Sequence, residues 1–117
     1  MGAMEGVIEI TEDKKGDILI LRMKGRLDAV SAPSAERKVF EYINEGHTKL
    51  ILDFSHVAYL SSAGMRMLLS TTKRLKSLAG KLVVCNIISN VMDVLKMSGF
   101  DHVLDLAKSE EEALHRF

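Results

Sequence analysis

Ser61 and Ser62, in the run Leu60-Ser61-Ser62-Ala63-Gly64, are the residues whose type and spacing most directly suggest chemistry. A hydroxyl ahead of a helix can accept from the N–H groups that the first turn leaves without partners, and it also meets whatever approaches that end. On sequence physics alone capping is the reading of both, with room for one of the pair to cap while the other stays available. Upstream, Leu50-Ile51-Leu52 closes on Asp53, so the whole stretch from Leu50 to Leu69 reads as strand, loop and helix start. In sheet-plus-helix domains such ends form the crevices where polar chemistry collects. Asp28 and Asp53 are both expected at strand ends near this loop, each equally suited to a turn or a cap. The remaining reactive side chains point elsewhere. Cys85, inside Leu82-Val83-Val84-Cys85, reads as a core filler, and His47, His56, His102 and His115 share no metal-ligand spacing.

The elements that must position this stretch follow from periodicity. Residues Val7 to Glu12 alternate, Asp13 to Asp17 reads as a polar turn, and Ile18 to Lys24 as a second strand ended by Gly25. The pair is expected to form an antiparallel hairpin at a sheet edge. Ser31 reads as the cap of a first helix from Pro33 to Asn44. Lys49 to Phe54 is a third strand, apolar enough to be central, followed by a loop from Ser55 to Leu60. In the second helix Met65, Leu68, Leu69, Thr72, Leu75 and Ala79 keep an apolar stripe. Arg66, Ser70, Lys73 and Ser77 lie opposite, with Met67 at the flank. Lys81 to Ile87 is a fourth strand, Ser89 caps a short third helix that Gly99 ends, and Val103 to Leu106 is a fifth strand. Ser109 with Glu112 fits a capping box for a fourth helix. The expected fold is α/β: one domain over residues 5–117, a mixed five-stranded sheet with an N-terminal antiparallel hairpin, helix-linked later strands and four helices. Met1-Gly2-Ala3, ahead of Met4, reads as an expression remnant.

Composition narrows the function classes. At 117 residues the chain fits one core, and 47% hydrophobic with 27% charged residues is ordinary for a globular protein. Sixteen basic and sixteen acidic residues cancel, so no global field draws nucleic acid or anionic lipid, and any charged partner must be met by a local patch. Aromatics make up 5% with no Trp, too few for base-stacking platforms. No apolar run approaches the roughly 20 residues that span a bilayer, and the amino terminus lacks a signal peptide's pattern. The expectation is a cytoplasmic protein without a membrane or direct nucleic-acid role.

Three stretches, Gly25-Arg26-Leu27-Asp28, Leu52-Asp53-Phe54 through Ser61-Ser62-Ala63-Gly64, and Val84-Cys85-Asn86, meet a known pattern. The chain resembles the STAS domain, and within it the anti-sigma factor antagonists of bacteria, over essentially Glu5 to Phe117. In that family the Ser two residues before the Gly is phosphorylated by the partner anti-sigma factor, a serine kinase. The resemblance therefore implies that Ser62 is the phosphorylation site, that Asp28 supports recognition of the loop, and that Gly64 is retained from the motif. Ser61 stands where the family usually has Asp, and Ala63 where it has Ser or Thr. The implied activity is not enzymatic: the unphosphorylated protein binds the anti-sigma factor and frees a sigma factor, and phosphorylation switches it off. The implied partners are that kinase and a serine phosphatase. No cofactor is implied, since ATP is used by the kinase.

The contact surface is expected on the loop and the outer side of the second helix, with Met65, Arg66, Met67, Ser70 and Lys73 giving apolar contact ringed by charge. The stripe assigns Met65 to the core and leaves Met67 and Arg66 as contact candidates. Other readings compete. A phosphoaspartate receiver with Asp53 as acceptor lacks the acidic pair that would hold a cation and has the wrong strand order. Acyl transfer at Ser62 lacks Gly-x-Ser-x-Gly. The same fold without the switch would be a constitutive interaction or small-ligand-binding module.

Overall fold

The structure, a computed structural model, describes residues 8–117. The readings of Met1 to Ala3 as a remnant, of the domain start at Glu5 and of Val7 as a strand residue lie outside the described residues. Strands β1 (Glu9–Lys15) and β2 (Ile18–Leu27) precede helix α1 (Ser31–Asn44). Then come β3 (Lys49–Leu60), α2 (Ser62–Ser77), β4 (Lys81–Cys85) and α3 (Ser89–Met97). A 3-10 turn at Phe100–His102, β5 (Leu106–Ala107) and α4 (Glu110–Leu114) complete the chain. The sheet order is β1-β2-β3-β4-β5, antiparallel between β1 and β2 and parallel thereafter. This is the mixed sheet and four-helix α/β domain expected from the sequence.

Strand alternation divides the core in two. Leu19, Leu21 and Met23 of β2, with Leu50, Leu52 and Phe54 of β3, face α1, α2 and α3. Ile18, Ile20, Ile51, Val83 and Cys85 face the other way, under Ala113 of α4. Each fully buried side chain of this kind contributes roughly 1.5–3 kcal/mol by leaving water. Helix α4 is held by its first turn as well as by packing. The Ser109 hydroxyl accepts from the Glu112 amide at 3.0 Å, which is the serine half of the expected capping box, while the Glu112 carboxylate accepts from Arg116 instead of the Ser109 amide. The Arg22 guanidinium donates to both carboxylate oxygens of Glu110 at 2.7 and 2.8 Å.

Several boundaries differ from the sequence reading. The β1–β2 turn needs only Gly16 and Asp17, so Asp13 to Lys15 stay in the ladder opposite Ile18 to Ile20. Gly25 does not end β2. It sits at φ +129° beside a register shift, a bulge that a side chain would strain, and the strand continues to Leu27. The segment Ser55 to Leu60 is accordingly strand and not loop, pairing Lys24 with His56 and Leu27 with Leu60. Two register shifts break the period-2 pattern on which strand recognition rests, and Val57 and Leu60 are the buried residues that keep this half against the core. Strand β4 stops at Cys85 because Asn86 turns left-handed, at φ +57°. Ser89 opens α3 without a side-chain cap bond, and the fifth strand shrinks to two residues behind the 3-10 turn.

Helix α2 also lies at a different rotation from the expected stripe. Its buried residues are Gly64, Met67, Leu68, Thr71 and Leu75. The adjacent pair Leu68-Leu69 left the phase open by about one residue, and the choice falls on Met67 because Thr71 can be buried with its hydroxyl donating to the Met67 carbonyl at 2.8 Å. Met67 is 1% exposed, which corrects its reading as a contact residue. Met65 is half-buried against the core. Met67→Ala should cost about 2–5 kcal/mol in urea unfolding, whereas Arg66→Ala should stay within about 0.5 kcal/mol.

Candidate functional site

The site is built where β2 and β3 end together. Leu27, the last residue of β2, accepts a hydrogen bond on its carbonyl from the Ser61 amide at 2.8 Å, which fixes where the chain leaves β3 and enters α2. Ser61 takes the N-cap position with extended backbone, its hydroxyl accepting from the Gly64 amide at 3.3 Å. Ser62 is the first helical residue and is exposed, with no hydrogen bond from its hydroxyl to a described residue. The two hydroxyls that the sequence left interchangeable thus divide the roles: Ser61 caps, and Ser62 stays free.

Gly64 has a steric reason to be glycine. A Cβ there would lie 2.6 Å from Leu60 Cδ1, 2.9 Å from the Leu27 carbonyl oxygen and 3.0 Å from Leu27 Cβ. The first turn of α2 therefore rests directly on the end of β2.

Asp28 follows Leu27 and organises the start of α1. Its Oδ1 accepts from the amides of Val30 and Ser31 at 3.0 and 2.9 Å, and its carbonyl accepts from the Ala32 amide at 2.9 Å. The Ser31 hydroxyl accepts from the Asp28 amide at 3.0 Å and donates to the Arg26 carbonyl. Asp28, and not Ser31, is the side chain that caps α1, because Ser31 is fully buried inside the first turn. The backbone hydrogen bond from Ser31 is the main reason its carboxyl lies below the usual range.

Asp53 departs from its expected place. It lies within β3, on the sheet face turned toward α4, and is 5% exposed. Its Oδ1 accepts from the Ser55 amide at 2.9 Å and its Oδ2 from the Asn86 side chain at 3.1 Å. Burial opposes charge on this carboxyl, and the hydrogen bonds it accepts from the Ser55 amide and the Asn86 side chain favour charge, so its pKa is lowered. Both of its oxygens are engaged in structural hydrogen bonds and the side chain is buried under α4, which is not the accessible carboxylate a receiver-type acceptor needs. The neighbouring Cys85 thiol is pushed up to about 12 by burial and then by the charge of Asp53, so it is inert, in keeping with a core filler. Among the described residues no group of three or more His, Cys, Asp and Glu could hold a metal ion.

The structure thus brings Asp28, Ser61, Ser62, Ala63, Gly64 and Arg66 to one end of the molecule, and leaves Asp53 and Met67 out. Ala63 and Arg66 share a shallow groove of about 210 Å³ with Ala32, Pro33 and Glu36 of α1. Further along α2, Arg66, Leu69, Ser70 and Lys73 line a second hollow of about 380 Å³. Leu69 and the α1 residues were missed by sequence reasoning. Leu69 was absorbed into the wrong helical stripe, and nothing in the sequence signals which α1 residues lie beside α2. The first turn of α2 carries no acidic side chain, so Ser62 sits at the positive end of a helix dipole.

The family model of the STAS domain matches residues 9–113. The chain belongs to the STAS-domain family. Within it the chain sits with the bacterial anti-sigma factor antagonists, a class of non-enzymatic regulators. It is 31% identical over 110 residues to BtrV of Bordetella bronchiseptica, a candidate anti-sigma factor antagonist, covering 94% of this chain and 95% of that protein. A candidate antagonist from Thermotoga maritima superposes with a TM-score of 0.87 at 21% identity, covering 92% of each chain. The phosphorylated form of the Bacillus cell fate determinant SpoIIAA superposes with a TM-score of 0.69 at 24% identity, covering 92% of this chain and 98% of that one. These two structures share the STAS fold with this chain.

Two measurements check the geometry of this STAS site. Ser61→Ala should lower stability by about 1 kcal/mol through loss of the cap, Ser62→Ala by less than about 0.5 kcal/mol, and Gly64→Ala by about 1–3 kcal/mol through forced separation of α2 from Leu27. The pH dependence follows from Asp53. With a folded pKa below its unfolded value of about 3.9, it adds stability above that pH, lost as pH falls through the folded value. The acid limb of the thermal-midpoint profile should therefore be shallower in Asp53→Asn than in the parent.

Proposed function

We propose that this protein is an anti-sigma factor antagonist switched by phosphorylation of Ser62. In this reading the unmodified protein binds its anti-sigma factor, a serine kinase, in the cytoplasm and frees a sigma factor. Transfer of a phosphate from the kinase's ATP to Ser62 ends the interaction, and a serine phosphatase restores it. The observation that carries the reading is the division of labour at the start of α2: Ser61 caps the helix, so the exposed Ser62 hydroxyl can be modified without uncapping it. The existence of a phosphorylated form of SpoIIAA supports the same reading.

The physics of the switch is local. A phosphate adds about −1.5 to −2 charges and three acceptor oxygens. On this protein's own side the cost is small, because the N–H groups and positive dipole end of α2 are at hand. A partner surface packed over a neutral Ser62 must desolvate or expel that dianion. A loss of about 3 kcal/mol weakens binding by roughly a hundredfold, and no refolding is required. Asp28 enters as the group that fixes the adjoining turn, and Ala63, Arg66, Ser70 and Lys73 as the surrounding contact surface, with Met65 as its half-buried apolar neighbour.

Incubation with the cognate kinase and ATP, followed by intact mass and peptide mapping, should add one phosphate, at Ser62. Ser62→Ala should hold the anti-sigma partner permanently and Ser62→Asp should bind it at least tenfold more weakly, about 1.4 kcal/mol. Equal affinities of the two variants would sink the switch.

A further inference from the structure

The sheet face turned away from α1, α2 and α3 is covered by α4 only in part. Helix α4 lies over Ile18, Ile20, Ile51, Val83 and Cys85, and its first residue, Glu110, reaches Arg22. Beyond Arg22 the strands run on toward Ser61. There the register pairs Lys24 with His56 and Arg26 with Tyr59, between the core-facing pairs Gly25 with Val57 and Leu27 with Leu60. Because alternate residues of a strand face opposite sides, Lys24, His56, Arg26 and Tyr59 stand together on the open face, and all four are exposed.

We propose that this strip is a second docking surface, for an acidic segment of the protein partner that meets Ser62. The partner's identity rests on the reading of Ser62 given above, whereas the strip is argued from its own chemistry. Arg26 lies 4.1 Å over the ring of Tyr59, a cation–π stack that holds the guanidinium flat on the aromatic face. Its edge N–H groups make no hydrogen bond with a described residue, and they offer the fork that a carboxylate accepts in bidentate fashion. Lys24 and Arg26 form no ion pair among the described residues, whereas Arg22, one step back, is committed to Glu110 and Asp13. The acidic groups nearby are Asp28, which feels the Arg26 charge but whose Oδ1 is held by the Val30 and Ser31 amides, Glu9, across from Lys24 on β1, and Asp53 and Glu110 beside Arg22.

Tyr59, 41% accessible, and the Arg26 above it are both residue types enriched at the energetic centres of interfaces. Two unpaired cations and a histidine around it select carboxylates over an apolar segment. In a chain of zero net charge such a patch is also the means of steering an acidic partner. The strip is continuous with the site, since the Ser61 amide is bonded to Leu27, one residue past Arg26.

The test uses the full chain and its purified anti-sigma kinase, with Lys24→Gln, Arg26→Glu, Arg26→Lys, Tyr59→Ala and Ser62→Asp compared. Arg26→Glu should weaken the Kd at least about tenfold at about 50 mM salt, mainly through slower association, and by less than about threefold at about 500 mM. Lys24→Gln, Tyr59→Ala and Arg26→Lys should fall between it and the parent, with thermal midpoints unchanged in Lys24→Gln and Arg26→Lys. A photoreactive benzoylphenylalanine at position 59 should cross-link to an Asp- or Glu-rich segment of the kinase. Unchanged affinity and salt dependence in Arg26→Glu would overturn the strip even where Ser62→Asp still weakens binding and the switch stands. Cross-linking to an apolar segment, to a second copy of this chain or to added duplex DNA would overturn it as well. Loss of binding in Arg26→Glu with Ser62→Asp unaffected would retain the strip and remove the switch.

Discussion

The contact between the first turn of α2 and the last residue of β2 is the constraint on which the rest depends. At Gly64 the helix comes so near that the Leu27 carbonyl stands 2.9 Å from where a Cβ would be, and the same carbonyl receives the Ser61 amide. One backbone oxygen thereby sets the depth of α2 against the sheet and the exit of the chain from β3. That exit determines which serine caps. The cap geometry places Ser61 Oγ over the Gly64 amide, and Ser62, one position on, is turned outward. Asp28 fixes the neighbouring turn from the residue after Leu27, so the starts of α1 and α2 share a single anchor.

The two faces of the sheet do different work. The face under α1, α2 and α3 is sealed by aliphatic packing and carries stability. The other face combines a small apolar cluster with a polar chain in which Asn86 donates to Asp53 and Arg22 bridges Glu110 and Asp13. This chain accounts for two features that packing alone does not. It satisfies a buried carboxylate within the central strand, and it gives Asn86, at φ +57°, a reason to sit where β4 peels away from β3. Arg22 and Glu110 are partly exposed, at 42% and 22%, so their pairing positions α4 more than it stabilises the fold.

What the sequence made legible was what short-range periodicity and cap chemistry encode. The order of elements, the hairpin, the parallel later strands and the Ser109 cap all followed from spacing. The second half of β3 did not, because its bulges replace alternation with a three-residue burial rhythm at Phe54, Val57 and Leu60. The rotation of α2 did not either, since Leu68-Leu69 fits two stripes and the choice rests on the close approach at Gly64 together with the bond that lets Thr71 be buried. Asp53 was drawn toward the site because a strand was expected to end there. Once β3 runs on to Leu60, the same residue lies in mid-strand on the far face, and its chemistry becomes structural. Asp28 was placed correctly at a strand end, though its capping of α1 was assigned to Ser31.

The serine at position 61 bears on the electrostatics of any modification at Ser62. Asp and Ser are near-equal as N-caps, so the cap itself is insensitive to which is present. The charge is not. An aspartate would place a full negative charge against the N–H groups of α2 before any phosphate arrived, and part of the dipole's attraction for an anion would already be used. With Ser61 neutral and no acidic side chain in the first turn, a phosphate on Ser62 would be the first anion carried by the helix's own first turn, with Asp28 and Glu36 on neighbouring elements. Phosphorylation would then change the charge of this first turn from neutral to negative, where with an aspartate it would only add to a charge already present. A neutral cap therefore widens the electrostatic contrast between the two states a partner has to tell apart.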